Sequence, residues 1–289
     1  MFRSHSVRLL TVLATLACLA TLLREAPVYA QSTPALREEW NLPVAPFHVI
    51  GNVHYVGAKG VSAFLITTPA GAILLDGGLP ETAPLIAKNV ATLGFDLRQV
   101  KYLLNSHAHF DHAGGLAELK RLSGAQLVAS RADAVVLRAG APNQPAVAVE
   151  RVLDDGATVE LGGTVLSARL TPGHTQGCTT WTMTTREAEK TYQVVFYCST
   201  SVVDRLVGNA GYPGIVADYE RSFARLRALP CDVFLAPHPE FFGMASKLER
   251  HKPGAPNPFI DAGELRRHVD ESEKKFREQL AQERSAAPK

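Results

Sequence analysis

The stretch His107-Ala108-His109-Phe110-Asp111-His112-Ala113-Gly114-Gly115 places three imidazoles and a carboxylate within six consecutive positions. It follows Tyr102-Leu103-Leu104, a short apolar run that reads as a buried strand, and it leads through a Gly-Gly step into residues 114–122, which read as a helix. In extended backbone, side chains two apart share a side, so His107 and His109 point the same way around Ala108. The turn after them aims Asp111 and His112 at a second point nearby. Neutral imidazole together with carboxylate oxygen is a donor set that suits zinc.

Two more histidines sit in Gly/Pro-flanked segments, Thr171-Pro172-Gly173-His174 and Ala236-Pro237-His238-Pro239. His107, His109 and His174 make one set of three, leaving a fourth metal position open for water. Asp111, His112 and His238 make a second set of the same kind. A two-metal site with ions about 3.5–4 Å apart lowers the pKa of bound water to about 7 and stabilises both the attacking and the leaving atoms. His48, His54, His251 and His268 have no such setting and read as ordinary packed or exposed histidines.

Working outward, Pro46 to Asp76 is a run of short apolar segments punctuated by Gly and Pro, the pattern of hairpins and a meander. Helical spacing follows from Pro84 to Gly94, Gln126 to Ala129 reads as a strand, and Ala132 to Arg138 as a helix. A second β-rich stretch covers Thr158 to Phe196, followed by a helix over Tyr219 to Leu229 and a strand at Val233 to Leu235. Asp261 to Glu283 carries Leu265, Val269, Phe276 and Leu280 as the apolar stripe of an amphipathic helix that Asp261 caps. Both halves run from strands into helices, so the expected architecture is two sheets face to face with helices outside. Lys252 to Pro258 reads as a loop within one domain, because too little chain follows it to bury a second core.

The first thirty residues have the grammar of an export signal. Arg3 and Arg8 are followed by an apolar run from Leu9 to Leu23, shorter than the ~20 residues that span a bilayer, and Val28-Tyr29-Ala30 precedes Gln31 as a small-residue cleavage site. The expectation is a cleaved segment 1–30, a single domain over 31–289, periplasmic location, no stable membrane insertion and a monomer. Among 289 residues there are 30 Lys+Arg and 28 Asp+Glu. Removing Arg3, Arg8, Arg24 and Glu25 leaves 27 of each sign, with no basic face to attract nucleic acid. Hydrophobic residues at 46% and charged residues at 20% exclude a disordered or collagen-like chain.

The nine-residue stretch resembles the signature of the metallo-β-lactamase superfamily. Trp40-Asn41, Pro46-Phe47, Gly51-Asn52, the segment from Thr171 to Trp181, Asp218-Tyr219 with Ser222-Phe223, and Pro237-His238-Pro239 resemble the third subclass of class B β-lactamases. The resemblance implies a four-layer αβ/βα sandwich with a dizinc site at the edge between two sheets. It implies His107, His109 and His174 on one zinc, Asp111, His112 and His238 on the other, and Asp111 orienting the nucleophile. Ser199 and Ser201 resemble the pair that hydrogen-bonds the substrate carboxylate. The implied activity is hydrolysis of the β-lactam amide of penicillins, cephalosporins and carbapenems, and hence antibiotic resistance. A lactonase or thioesterase on the same scaffold is the alternative; such relatives carry a bridging aspartate where this chain has Cys198-Ser199, and Asp204 lies too far along to replace it.

Cys178 and Cys198 bracket an expected hairpin whose turn is centred on Ala188, which sets the two thiols opposite each other across the ladder. In an exported protein this pair is expected to be oxidised, the alternative being a free Cys198 thiol near the second metal. In relatives the cysteine matching Cys231 often pairs with a later one; none follows here, so Cys231 stays unpaired. Trp40, Phe47, Phe241, Phe242 and Met244 are candidates for the groove wall, with simple packing the more common fate of such residues.

Overall fold

A computed structural model describes residues 33–286. The export segment expected over residues 1–30 lies outside these residues. No helix among them is long and apolar enough to cross a membrane.

The amino-terminal sheet has seven strands in sequence order: β1 Phe47–Ile50, β2 Val53–Tyr55, β3 Phe64–Thr68, β4 Gly71–Leu75, β5 Val100–Leu104, β6 Gln126–Ser130 and β7 Arg151–Leu153. The first four form an antiparallel meander, and β4 through β7 pair in parallel. Helical crossovers join the parallel strands: α2 Ala83–Thr92, α4 Leu116–Ser123 and α5 Arg131–Ala139. The second sheet has five strands, β8 Thr158–Leu161, β9 Thr164–Leu170, β10 Thr179–Glu187, β11 Lys190–Phe196 and β12 Val233–Leu235, in the order β12-β11-β10-β9-β8. Its outer face carries α6 Ile215–Arg227 and α8 Glu264–Ala286. Three short helices complete the described chain: α1 Pro34–Trp40, α3 Phe110–Ala113 and α7 Met244–Arg250.

Side-chain alternation explains the layering. In β3 and β4, Phe64, Ile66, Ile73 and Leu75 face the second sheet and meet Trp181, Met183, Val194 and Phe196, while Leu65, Ala72 and Leu74 face the helices and meet Ile86, Val90, Leu116 and Leu119. Central strands are therefore buried on both faces, as a sheet covered by helices on one side and by a sheet on the other requires. The α+β sandwich expected from the residues and the resemblance is the fold found.

The carboxy-terminal helix uses the expected stripe. Leu265, Val269, Phe276 and Leu280 are all buried, and the Phe276 ring lies 5.1 and 5.4 Å from those of Tyr219 and Phe223 on α6. The helix starts at Glu264, three residues past the expected cap, because Asp261 turns back to accept from the Gly263 N–H and to pair with Arg267. Residues 251–260 are irregular, as expected, and link α7 to α8.

Cys178 and Cys198 are joined by a disulfide with 5.8 Å between Cα atoms, while Cys231 is free and buried. The register differs by one from the expectation. Trp181 pairs with Phe196 and Glu187 with Lys190, so the turn is centred between Ala188 and Glu189, and the ladder carried onward would set Cys178 opposite Ser199. Above Trp181 the β10 chain pairs only with β9, and that freedom from β11 lets the bridge form with a one-residue offset. The bridge closes 20 residues and pins the start of β10 to the end of β11. Replacing both cysteines by alanine is expected to lower unfolding free energy by about 3 kcal/mol, read in chemical denaturation; an unchanged midpoint would show that the bridge adds nothing to stability.

Candidate metal centre

The candidate ligands arrive on the carboxyl ends of strands, where open α/β sheets place their sites. After β5 the chain continues extended through Asn105 and Ser106 to His107 and His109, whose rings lie 4.8 Å apart between centroids. Asp111 and His112 then sit on the single turn of α3, a helix not anticipated from the sequence, where a strand end running into a Gly-Gly step was expected. The turn forms because His109 is extended (φ −82°, ψ 150°) and Gly114 closes it through its N–H to the Phe110 carbonyl. His174 enters on the loop between β9 and β10, and His238 follows β12. Gly173, at φ +139°, is required by contact: a Cβ there would lie 2.8 Å from the Tyr219 ring.

The six side chains fall into two adjoining groups. His107, His109 and His174 offer ligand atoms within 4.8 Å of one another, and so do Asp111, His112 and His238. The His107 and His174 Nε2 atoms are 3.2 Å apart, as are those of His112 and His238. Two nitrogens bound tetrahedrally at 2.0–2.1 Å from one ion stand about 3.3 Å apart. The rings of His107 and His112, one from each group, are 4.4 Å between centroids.

Backbone and hydroxyl partners orient the rings. His174 Nδ1 lies 2.7 Å from the Ser201 carbonyl, His238 Nδ1 lies 2.8 Å from the Gly60 carbonyl, and His107 Nδ1 is 3.1 Å from the Ser106 hydroxyl. A carbonyl requires the Nδ1–H tautomer, which leaves Nε2 of His174 and His238 as a bare donor facing its group. Sequence reasoning did not find these partners, because a carbonyl oxygen carries no residue signature.

Electrostatics point the same way. Burial, followed by repulsion from neighbouring histidines, holds His107 well below its ordinary pKa; burial takes His109 down to about 4 and His174 well below its ordinary value. All three are therefore neutral at pH 7, the form in which imidazole binds metal. Burial opposes the charge of Asp111, yet His112 and His238 outweigh it and hold the carboxyl well below the usual range. Asp111 in turn raises His238 against the effect of burial. Asp111 is fully buried, and no donor among the described residues reaches its Oδ1. A buried carboxylate with an orphaned oxygen, set among imidazoles, fits a divalent cation.

Around this centre, Ser199 is buried three residues past the end of β11, and its hydroxyl accepts from the Ser201 N–H at 3.2 Å. The sequence reading missed Asp76, whose Oδ1 accepts from the Ser106 N–H at 2.7 Å and whose carboxyl burial pushes up to about 6. Asp76 stands at φ 64°, a backbone state that sequence alone does not announce. Of the candidate wall residues, Trp40 and Phe241 flank His238, with ring centroids at 5.5 and 5.4 Å. Phe47 instead stacks on Tyr55 and Phe259, and Phe242 is buried in the core. Met244 is buried and borders a hollow with Trp40. His268 packs against Tyr197, Phe234 and Phe241, as an ordinary half-buried histidine does. A cavity of about 870 Å³ opens beside His109 and His174, with the exposed Val135 and Val136 on one bank.

The profile of the metallo-beta-lactamase superfamily matches residues 56–187. BJP-1, a subclass B3 metallo-beta-lactamase of Bradyrhizobium japonicum, is 42% identical and superposes with a TM-score of 0.82, covering 86% of this chain and 98% of its own. The native FEZ-1 metallo-beta-lactamase from Legionella gormanii is 37% identical with a TM-score of 0.82, covering 84% and 98%. Among curated proteins, a hydroxyacylglutathione hydrolase of Pseudomonas paraeruginosa is 33% identical over 130 residues, 45% of this chain. The chain spans less than half the length of the curated relatives it matches, 43% in that case. With near-complete coverage at 42% identity, this chain belongs to the metallo-β-lactamase superfamily of metal-dependent enzymes and, within it, to the subclass B3 family.

Proposed function

We propose that the enzyme hydrolyses the β-lactam amide bond using two zinc ions, one held by His107, His109 and His174 and the other by Asp111, His112 and His238. What supports this most is that a subclass B3 enzyme matches 86% of this chain, against 45% for the hydroxyacylglutathione hydrolase. Zinc bound there supplies Lewis acidity and an activated water at neutral pH. The anionic Asp111 accepts a hydrogen bond from the attacking water and so aims its oxygen at the carbonyl carbon. Ser199 Oγ already accepts from the Ser201 N–H, which leaves its hydroxyl proton to donate to the substrate carboxylate. The Ser201 hydroxyl is the second donor in this reading. The cavity beside His109 is of a size for one drug-sized molecule.

A second reading, hydrolysis of a thioester or lactone, is favoured by the hydroxyacylglutathione hydrolase relatives. Against it, Ser199 follows β11 where the resemblance gives such enzymes an aspartate, and Asp204 belongs to neither ligand group. The proposal includes export: cleavage after Ala30, a single domain from residue 31 and a monomer acting on antibiotics in the periplasm.

Zinc added to the metal-free protein at 1,000 times its Kd is expected to contribute about 4 kcal/mol, which raises Tm by about 8–16 °C. A Tm indifferent to zinc would reject the metal centre. A chromogenic cephalosporin, an acyl-homoserine lactone and a glutathione thioester assayed side by side separate the readings; the first is expected to turn over with chelator-sensitive kinetics. Asp111→Ala should then lose about 10²–10⁴-fold in kcat, and full retained activity would remove Asp111 from this role. Mass spectrometry of the secreted form is expected to place its first residue at Gln31, and an intact residue 1–30 segment would refute cleavage.

A further inference from the structure

Asp133 lies in the first turn of α5, is 3% exposed, and has no part in the chemistry described above. It is not needed to cap its own helix, since Ser130 does that by accepting from the Asp133 N–H. The carboxylate instead turns toward two other segments. It accepts from the Thr175 hydroxyl at 3.3 Å, its Oδ1 lies against Gly177, and the backbone N–H groups of Ala108 and Gly177 favour its charged form. Ala108 stands between His107 and His109, and Thr175 and Gly177 follow His174. Ser130 fastens the same loop by donating to the Gly177 carbonyl at 2.7 Å. Gly177 is held so close that a Cβ there would lie 2.3 Å from Asp133 Oδ1.

No cation among the described residues pairs with this carboxylate, and burial raises its pKa to about 7. For stability alone, a buried carboxyl facing only neutral donors is a poor choice against an apolar residue. Its geometry serves something else. Three donors from the two segments that carry His107, His109 and His174 converge on one side chain, whereas Asp111, His112 and His238 are not among its hydrogen-bond partners.

We infer that Asp133 is a positioning residue for the three-histidine group: it fastens the backbone between His107 and His109 to the loop after His174, holding the three imidazoles at ligand spacing. The inference rests on the reading that this group binds zinc. An asparagine at 133 would meet three donors with a single oxygen and turn its own N–H toward one of them. Partners that orient ligands typically change metal affinity 10–100-fold when removed.

The test is stepwise zinc binding to the metal-free protein, by competition with a chelator, for wild type, Asp133→Asn and Thr175→Val, with Tm of each metal-free protein measured alongside. Asp133→Asn is expected to weaken one of two binding steps about 10–100-fold and leave the other unchanged. Thr175→Val, which removes one of the three donors, should weaken the same step less. Two unchanged steps in Asp133→Asn would overturn the inference, as would equal weakening of both steps with a lowered metal-free Tm, which is the signature of general destabilisation. Should Asp133→Asn fail to fold, Thr175→Val decides: weakening of one step supports the inference and unchanged affinity overturns it. Absence of zinc binding in wild type would instead sink the functional reading itself.

Discussion

The inner faces of the two sheets share one apolar layer, and the centre depends on how that layer sets the sheets against each other. Phe64 of β3 meets Phe196 of β11 at 5.3 Å between ring centroids, and Trp181 of β10 is fully buried between the sheets. Polar contacts at the rim of this layer fix the sliding register. The Trp181 indole N–H donates to the Asn105 carbonyl at 3.1 Å, and the Thr179 N–H donates to the Ser106 carbonyl at 2.8 Å. Both acceptors lie in the two residues before His107. Apolar burial is non-directional and supplies most of the free energy; these few hydrogen bonds decide which residues face which, and so bring the end of β5 beneath the loops that carry His174 and Ser199.

The site itself is unfavourable to the fold. Five imidazoles and a carboxylate gather at the sheet edge, and among the described residues Asp111 Oδ1 and His112 Nδ1 find no hydrogen-bond partner. The surrounding structure holds them by fastening backbone, through the Cys178–Cys198 bridge, the carbonyls of Gly60 and Ser201, and the carboxyls of Asp76 and Asp133. Tyr219 extends this shell, donating its hydroxyl to the same Ser201 carbonyl that orients His174. A preformed ligand cage of this kind shifts its cost onto folding, so that binding a cation requires little rearrangement.

Much of the fold and of the candidate site was legible in the residues because the relevant signals are local. The His-x-His spacing in extended chain, the alternation in β3 and β4, and the Leu265-Val269-Phe276-Leu280 stripe each follow from backbone periods of two or 3.6. Misreadings fall where a local rule meets a competing contact. Asp261 was expected to begin α8, yet its pairing with Arg267 and Gly263 delays the helix to Glu264. The hairpin centre was set by the symmetry of two cysteines, whereas the ladder ends at Trp181 and the bridge tolerates an offset. Asp111 and His112 were placed beyond a strand, but the N–H of Gly114 closes a helical turn around them.

By itself the sequence determined the types of donor, their spacing along the chain, and the apolar periods that make two sheets and their helices, because all of these are properties of neighbours within a few residues. Tertiary structure alone decided that the carbonyls of Ser201 and Gly60 orient His174 and His238, that Trp40 and Phe241 flank His238 while Phe47 and Phe242 serve the core, and that Asp133 reaches the segments bearing three of the ligands. The orienting carbonyls lie far along the chain from their rings, 27 positions for Ser201 and His174 and 178 for Gly60 and His238, and nothing in a one-dimensional pattern encodes the packing that brings such pairs together.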